Sequence, residues 1–159
     1  MRETAFKALS IMLWLIMLLL LTWLLMIMLS GEVNARGVEY GRLLNAISIV
    51  ESSGDSKAVN AKEQAFGLYQ IRAGVIQDVN EKVYKYQAFN HNDAFNPILA
   101  KTIAINYLQH YGKAYKSRTG KDANEEVLAR IWNGGYSGYF KNQSATDSYW
   151  LKVKQQIER

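Results

Sequence analysis

Glu51 closes the run Leu44-Asn45-Ala46-Ile47-Ser48-Ile49-Val50-Glu51, and Ser52-Ser53-Gly54 follow at once. Leu44 and Ile47 lie seven and four positions before it. On an α-helix those spacings put all three side chains on one face. The face is apolar, so the carboxyl is expected to turn inward and lose part of its hydration. Desolvation raises a carboxyl pKa and keeps the acid protonated near neutral pH. A carboxylic acid in that state can hand its proton to a glycosidic oxygen. The same residue also fits a frayed helix end in water, and periodicity alone leaves both readings open.

The residues that follow fall into ordered blocks. Glu51-Ser52-Ser53-Gly54-Asp55 is followed by Ala65-Phe66-Gly67-Leu68-Tyr69-Gln70-Ile71, then by Phe95-Asn96-Pro97 and Ile105-Asn106-Tyr107-Leu108. Ile131-Trp132-Asn133-Gly134-Gly135 comes next, and Tyr149-Trp150-Leu151-Lys152-Val153 stands near the end. Over roughly residues 38 to 155 this order resembles the soluble-lytic-transglycosylase family of the lysozyme-like superfamily. That family has a Glu-Ser opening, a Gly-Leu-Met-Gln-Ile block, an Ala-Tyr-Asn-Ala-Gly block and a late Tyr. The chain departs from it at four positions. Tyr69 replaces the usual Met, Trp132 the usual Tyr, Gly134 the usual Ala, and Gln64 a Gly that would serve the backbone.

The resemblance implies an enzyme that cuts the β-1,4 bond between the MurNAc and GlcNAc units of peptidoglycan. Glu51 would be the catalytic residue. It would protonate the leaving oxygen and then act as base on the 6-hydroxyl of the sugar itself, giving a 1,6-anhydro end with help from the N-acetyl group. Ser52, Tyr69, Gln70, Trp132, Asn133 and Tyr149 would line the substrate groove, with Tyr149 hydrogen-bonded to the acid. Bland roles compete for several of these. Ser52 and Ser53 suit helix capping, Asn133 a helix end, and Tyr149 core packing. A Gln amide both donates and accepts hydrogen bonds, as an N-acetyl group requires, yet it also suits a solvated helix face.

Ordinary glycosidases use two carboxyl groups. Asp55 and Glu63 are the candidates beside Glu51, so a lysozyme-like hydrolase is the first alternative. A wall-binding or assembly protein without catalysis is the second. Other chemistries find no support. Gly135-Tyr136-Ser137-Gly138-Tyr139 lacks the final Gly of a nucleophile elbow. His91 and His110 lack metal-ligand spacing, there is no phosphate-binding glycine loop, and no cofactor is implied. The absence of Cys removes disulfides, thiolate nucleophiles and Cys metal sites.

The elements that must position these groups begin with an apolar stretch. Residues 8 to 31 carry no charge, and between Ala8 and Leu29 only Ser10 and Thr22 are polar. A helix of that length spans roughly 33 Å, about one bilayer core. Arg2 and Lys7 precede it, which favours residues 1 to 7 in the cytoplasm and the rest outside, in the periplasm or beyond. An uncleaved membrane anchor is expected. The alternative is a signal peptide, for which Val33-Asn34-Ala35 is a poor cleavage site. Removing Arg2, Glu3, Lys7 and Glu32 takes two charges of each sign, so residues 36 to 159 keep the chain's net +5. A basic exported domain suits an anionic wall polymer and argues against nucleic acid as partner.

Within 36 to 159 the pattern predicts helices at about 38–52, 67–79, 97–111, 122–132 and 147–157. Pro97 with Asn96 as cap, Asp122 with Glu125 as capping box, and Gly112 as a stop set three of the boundaries. Residues 53 to 66 read as turns or a small hairpin, and 84 to 94 as loop. The fold class is α-rich α+β, a lysozyme-like domain behind one transmembrane helix.

Overall fold

The helix that carries Glu51 forms as its stripe demands. In the computed structural model, which describes Trp14, residues 16–22 and residues 38–159, α1 spans Tyr40–Ser52 and buries Leu43, Leu44, Ala46, Ile47 and Ser48. Each of its buried Leu and Ile side chains contributes about 1.5–3 kcal/mol relative to exposure. The helix stops because Ser53 turns left-handed (φ 55°), which lets the N–H groups of Ser53 and Gly54 reach the carbonyls of Ile49 and Ser48.

A two-stranded hairpin follows, with β1 (Val59–Asn60) antiparallel to β2 (Ala65–Phe66) and Val59 opposite Phe66. Phe66 stacks between His91 and Phe95, with ring centres 4.2 and 5.1 Å away. The chain then bends through Gly67. A Cβ there would lie 1.9 Å from the Ala94 carbonyl oxygen, and φ is +69°, so only glycine fits.

The helix expected over 67–79 is shorter than its apolar spacing suggested. Gly67 and Gln70 both have positive φ, which no α-helix accommodates. The segment is instead a turn, with Ile71 bridged back to Phe66. Helix α2 runs only over Ala73–Asp78 and passes directly into a wide i→i+5 turn, Val79–Tyr84. The expected loop at 84–94 ends in a short 3-10 helix, His91–Phe95, closed by a capping box between Asn90 and Asp93.

Helix α3 (Pro97–Thr119) starts as predicted, with the Asn96 side chain accepting from the N–H groups of Ile98 and Leu99. It does not stop at Gly112. A Cβ at that position would rest 3.5 Å from Leu128 Cδ2 and 3.8 Å from Ala123 Cβ, so the glycine is a small contact point, and Gly120 (φ +72°) ends the helix. Helix α4 (Glu125–Lys141) is capped by Asn124, whose side chain accepts from Val127 N–H. The Asp122 box does not form: the helix begins three residues later, and Asp122 stands before it, paired with Lys116 at 2.8 Å. Gly135 (φ 72°, ψ 160°) breaks α4, and the helix then resumes. Helix α5 (Asp147–Ile157) has the bounds expected.

Helices α1, α3, α4 and α5 bury a common apolar core around Ile47, Ile103, Leu108, Leu128, Ile131 and Val153. The chain divides at Gly37/Val38, and the unit Val38–Arg159 is this helix-rich, hairpin-bearing body. In the other unit, Trp14 and residues 16–22 are helical with exposed side chains. Among the described residues no helix is long and apolar enough to cross a membrane. The rest of the predicted 8–31 anchor, and residues 1 to 7 before it, lie outside the described residues.

Candidate active site

Glu51 sits in the last turn of α1, where Leu44 and Ile47 have turned its face inward. Tyr149 comes to it from α5. The Tyr149 hydroxyl donates to Glu51 Oε1 at 2.8 Å across 98 residues of sequence. Arg130 fixes the start of α5. Its guanidinium pairs with Glu126 on its own helix at 2.7 Å and with Asp147 at 2.6 Å, and donates to Thr146 Oγ1 at 3.1 Å. Asp147 lies two positions before Tyr149, so this largely buried cation helps set where the Tyr hydroxyl stands. Gly134 permits the same approach, because a Cβ there would lie 2.9 Å from the Thr146 methyl. The departure from Ala at 134 therefore has a steric reason.

Burial dominates the electrostatics of Glu51 and raises its carboxyl above the ordinary range. The Tyr149 hydroxyl, the Arg72 guanidinium and the Trp132 indole N–H favour the ionised form and pull it part of the way back, while the charge of Glu63 pushes it up. Tyr149 is raised well above the usual phenol value, first by burial and then by the neighbouring Glu51. The hydroxyl therefore stays a donor. An acid poised in this way can give a proton and still hold the negative charge left behind.

Trp132 is buried edge-on between Tyr69 and Tyr107, with ring centres 6.4 and 5.6 Å away. Tyr69 thus meets Glu51's surroundings through Trp132. Asn133 does not end its helix, since the break comes at Gly135. Its carbonyl accepts from Arg72 Nη1 at 3.5 Å. Ser52 Oγ donates to the Leu68 carbonyl at 2.9 Å, with the Ser48 carbonyl at 3.1 Å, and so fastens the end of α1 to the 67–71 turn. Gln70 has left-handed backbone (φ 48°), and its amide nitrogen donates to Gly67 O at 3.0 Å and Ala58 O at 3.4 Å. Tyr149 therefore meets the carboxyl, whereas Ser52 and Gln70 brace the loop beside it.

The two candidate partner carboxylates are both engaged elsewhere. Asp55 accepts from the Lys57 backbone N–H at 2.8 Å in a local turn. Glu63, from the hairpin, pairs with Arg72 Nη2. Arg72 is the residue that motif reading missed. It follows Ile71 outside any block, and no periodicity marks it. Among the described residues no cluster of His, Cys, Asp and Glu suits a metal ion.

With this geometry established, residues 31–146 match the family model of the transglycosylase SLT domain, so the chain belongs to that family. Membership implies lytic-transglycosylase or lysozyme-like action on peptidoglycan. The match ends three residues short of Tyr149, whose position beside Glu51 is an independent structural observation. No curated protein matches the chain.

Proposed function

We propose that the chain is a peptidoglycan lytic transglycosylase in which Glu51 serves as acid and then as base. The observation that carries this reading is the part-buried Glu51 carboxyl, hydrogen-bonded by Tyr149, with both neighbouring carboxylates occupied by other partners. In the first step Glu51 gives its proton to the glycosidic oxygen, and the bond from C1 to that oxygen breaks. The developing charge at C1 is met by the substrate's own N-acetyl oxygen. In the second step the Glu51 carboxylate takes the proton of the 6-hydroxyl, and O6 closes on C1. The proton lost in the first step is thereby restored, and water is not consumed.

Each neighbour has a part in this cycle. Tyr149, Arg72 and the Trp132 indole steady the carboxylate between the two steps. Burial makes the acid form available at the start. Ser52 and Gln70 hold the wall of the groove, and Tyr69 backs the Trp132 ring. The hydrolase alternative would need Glu63 to activate a water, and Glu63 is the carboxylate whose charge reaches Glu51. Its pairing with Arg72 disfavours that role.

The setting follows from the apolar stretch. Residues 8–31 tether the enzyme to the membrane, and the domain beyond works on wall strands outside it, with the periplasm as the natural location. The decisive assay is solubilisation of purified sacculi by the full chain and by Glu51→Gln. The variant should lose at least about 100-fold in rate, the usual worth of a positioned proton donor. Retention of more than about a tenth of activity would remove Glu51 from this role.

A further inference from the structure

A recess lies along α2 and the wide turn that follows it. Its volume is about 780 Å³, and Gln77, Asn80, Glu81, Lys85, Tyr86 and Gln87 are among its walls. None of the groups around Glu51 lines it, although Ala73, at its edge, follows Arg72 directly in the chain. We propose that this recess is a second glycan site, which takes an N-acetylated sugar unit of a wall strand apart from the bond being cut. The proposal rests on the wall-glycan reading above.

The recess is built, and its frame is rigid. Asn80 Oδ1 accepts from the N–H groups of Ala88 and Phe89 at 3.0 Å each, and its Nδ2 donates to the Phe89 carbonyl at 2.8 Å. One side chain thus pins the far wall. Tyr86 is 63% exposed, yet its ring is held edge-to-face against Tyr84 at 5.7 Å. Tyr84 is in turn braced by Phe89 at 5.4 Å and by the Asn106 amide at 3.3 Å. An exposed aromatic ring fixed in this way is a platform for a sugar face.

The wide turn Val79–Tyr84 is a rare form that recurs at functional sites, and Lys85 closes it as a left-handed cap (φ 65°). The lining chemistry selects the ligand. Glu81 and Lys85 balance each other's charge, so a neutral sugar fits better than a stem peptide bearing carboxylates. Gln77 donates to Glu81 Oε1 at 2.9 Å, and the amides of Gln77 and Gln87 can meet hydroxyl and acetamido groups. The volume lies within the roughly 300–1,000 Å³ typical of small-ligand sites.

The test uses the full chain carrying Glu51→Gln, titrated by calorimetry with the N-acetylglucosamine tetramer. Two binding events are expected. Tyr86→Ala should remove one, Tyr86→Phe should keep it, and both should keep the far-UV spectrum. With Glu51 intact, Tyr86→Ala should raise the apparent KM for sacculi about tenfold, the loss of one stacking contact, while kcat changes less than about twofold. Unchanged stoichiometry and KM in Tyr86→Ala would overturn the proposal. So would a free stem peptide that displaces the Tyr86-dependent event, since the site would then belong to peptide. If the wild-type chain fails to cut sacculi but the Tyr86-dependent event persists, the catalytic reading fails and this site stands.

Discussion

At the scale of single residues, Glu51 is a compromise between solvent exclusion and charge. In the proposed mechanism the first step needs its protonated form, so the alkaline limb of the pH profile should follow the Glu51 carboxyl. Burial sets that limb above the ordinary carboxylate range. Tyr149→Phe removes a donor to the ionised form, and Arg72→Gln removes a favourable charge. Both variants should move the limb to higher pH. Glu63→Gln should move it lower, because a charge that disfavours ionisation is lost and Arg72 is left unpaired. A kcat/KM profile of the three variants checks these signs, and a shift of Arg72→Gln in the same direction as Glu63→Gln would refute them. The same burial has a stability consequence. The folded carboxyl titrates above its unfolded value, so Glu51 withdraws stability as pH rises from the unfolded through the folded pKa. Glu51→Gln should therefore melt no lower than the wild type at neutral pH, which separates lost chemistry from lost fold.

At the scale of elements, the 64–71 segment holds the site in a shape that apolar spacing could not reveal. Leu68, Ile71, Val75 and Val79 have helical spacing, but the left-handed backbone of Gln64, Gly67 and Gln70 makes a hairpin exit and a turn instead. Gly67→Ala should destabilise by about 3 kcal/mol or more, since the new methyl meets the Ala94 carbonyl at a strained φ. Gln64→Gly should stabilise by about 0.5–1 kcal/mol, the cost of left-handed glutamine (about 1–2) less the added freedom of unfolded glycine (about 0.5–1). Urea unfolding of both variants measures the pair. Where local chemistry acts alone, boundaries were legible. Asn96-Pro97, the Ser-Ser-Gly stop and α5 fall where the sequence puts them. Gly112 and Asp122 misled because packing against Leu128 accounts for the glycine and the Asn124 cap takes the helix start. The Tyr149 contact was legible only through family resemblance, and Arg72 not at all, since its partners Glu63 and Asn133 are brought to it by the fold.

At the scale of the whole molecule, a basic SLT-domain unit follows an apolar stretch with ten Leu and three Ile between Ala8 and Leu29. Each of these residues favours the bilayer centre by roughly 0.3–0.6 kcal/mol. The full chain should stay in the membrane fraction through an alkaline carbonate wash, and a soluble product starting near Arg36 would instead identify a cleaved leader. The proposed tether would confine cutting to wall close to the membrane, and the proposed second glycan site would keep a strand in place between cuts. The central claim is that one carboxyl performs both proton transfers and that no water enters the product. Mass spectrometry of the muropeptides released from sacculi by the full chain tests it most directly. The account predicts 1,6-anhydro-MurNAc ends, lighter by one water than reducing ends. A product set made of reducing ends would contradict it and turn attention to Glu63 as the second carboxylate of a hydrolase.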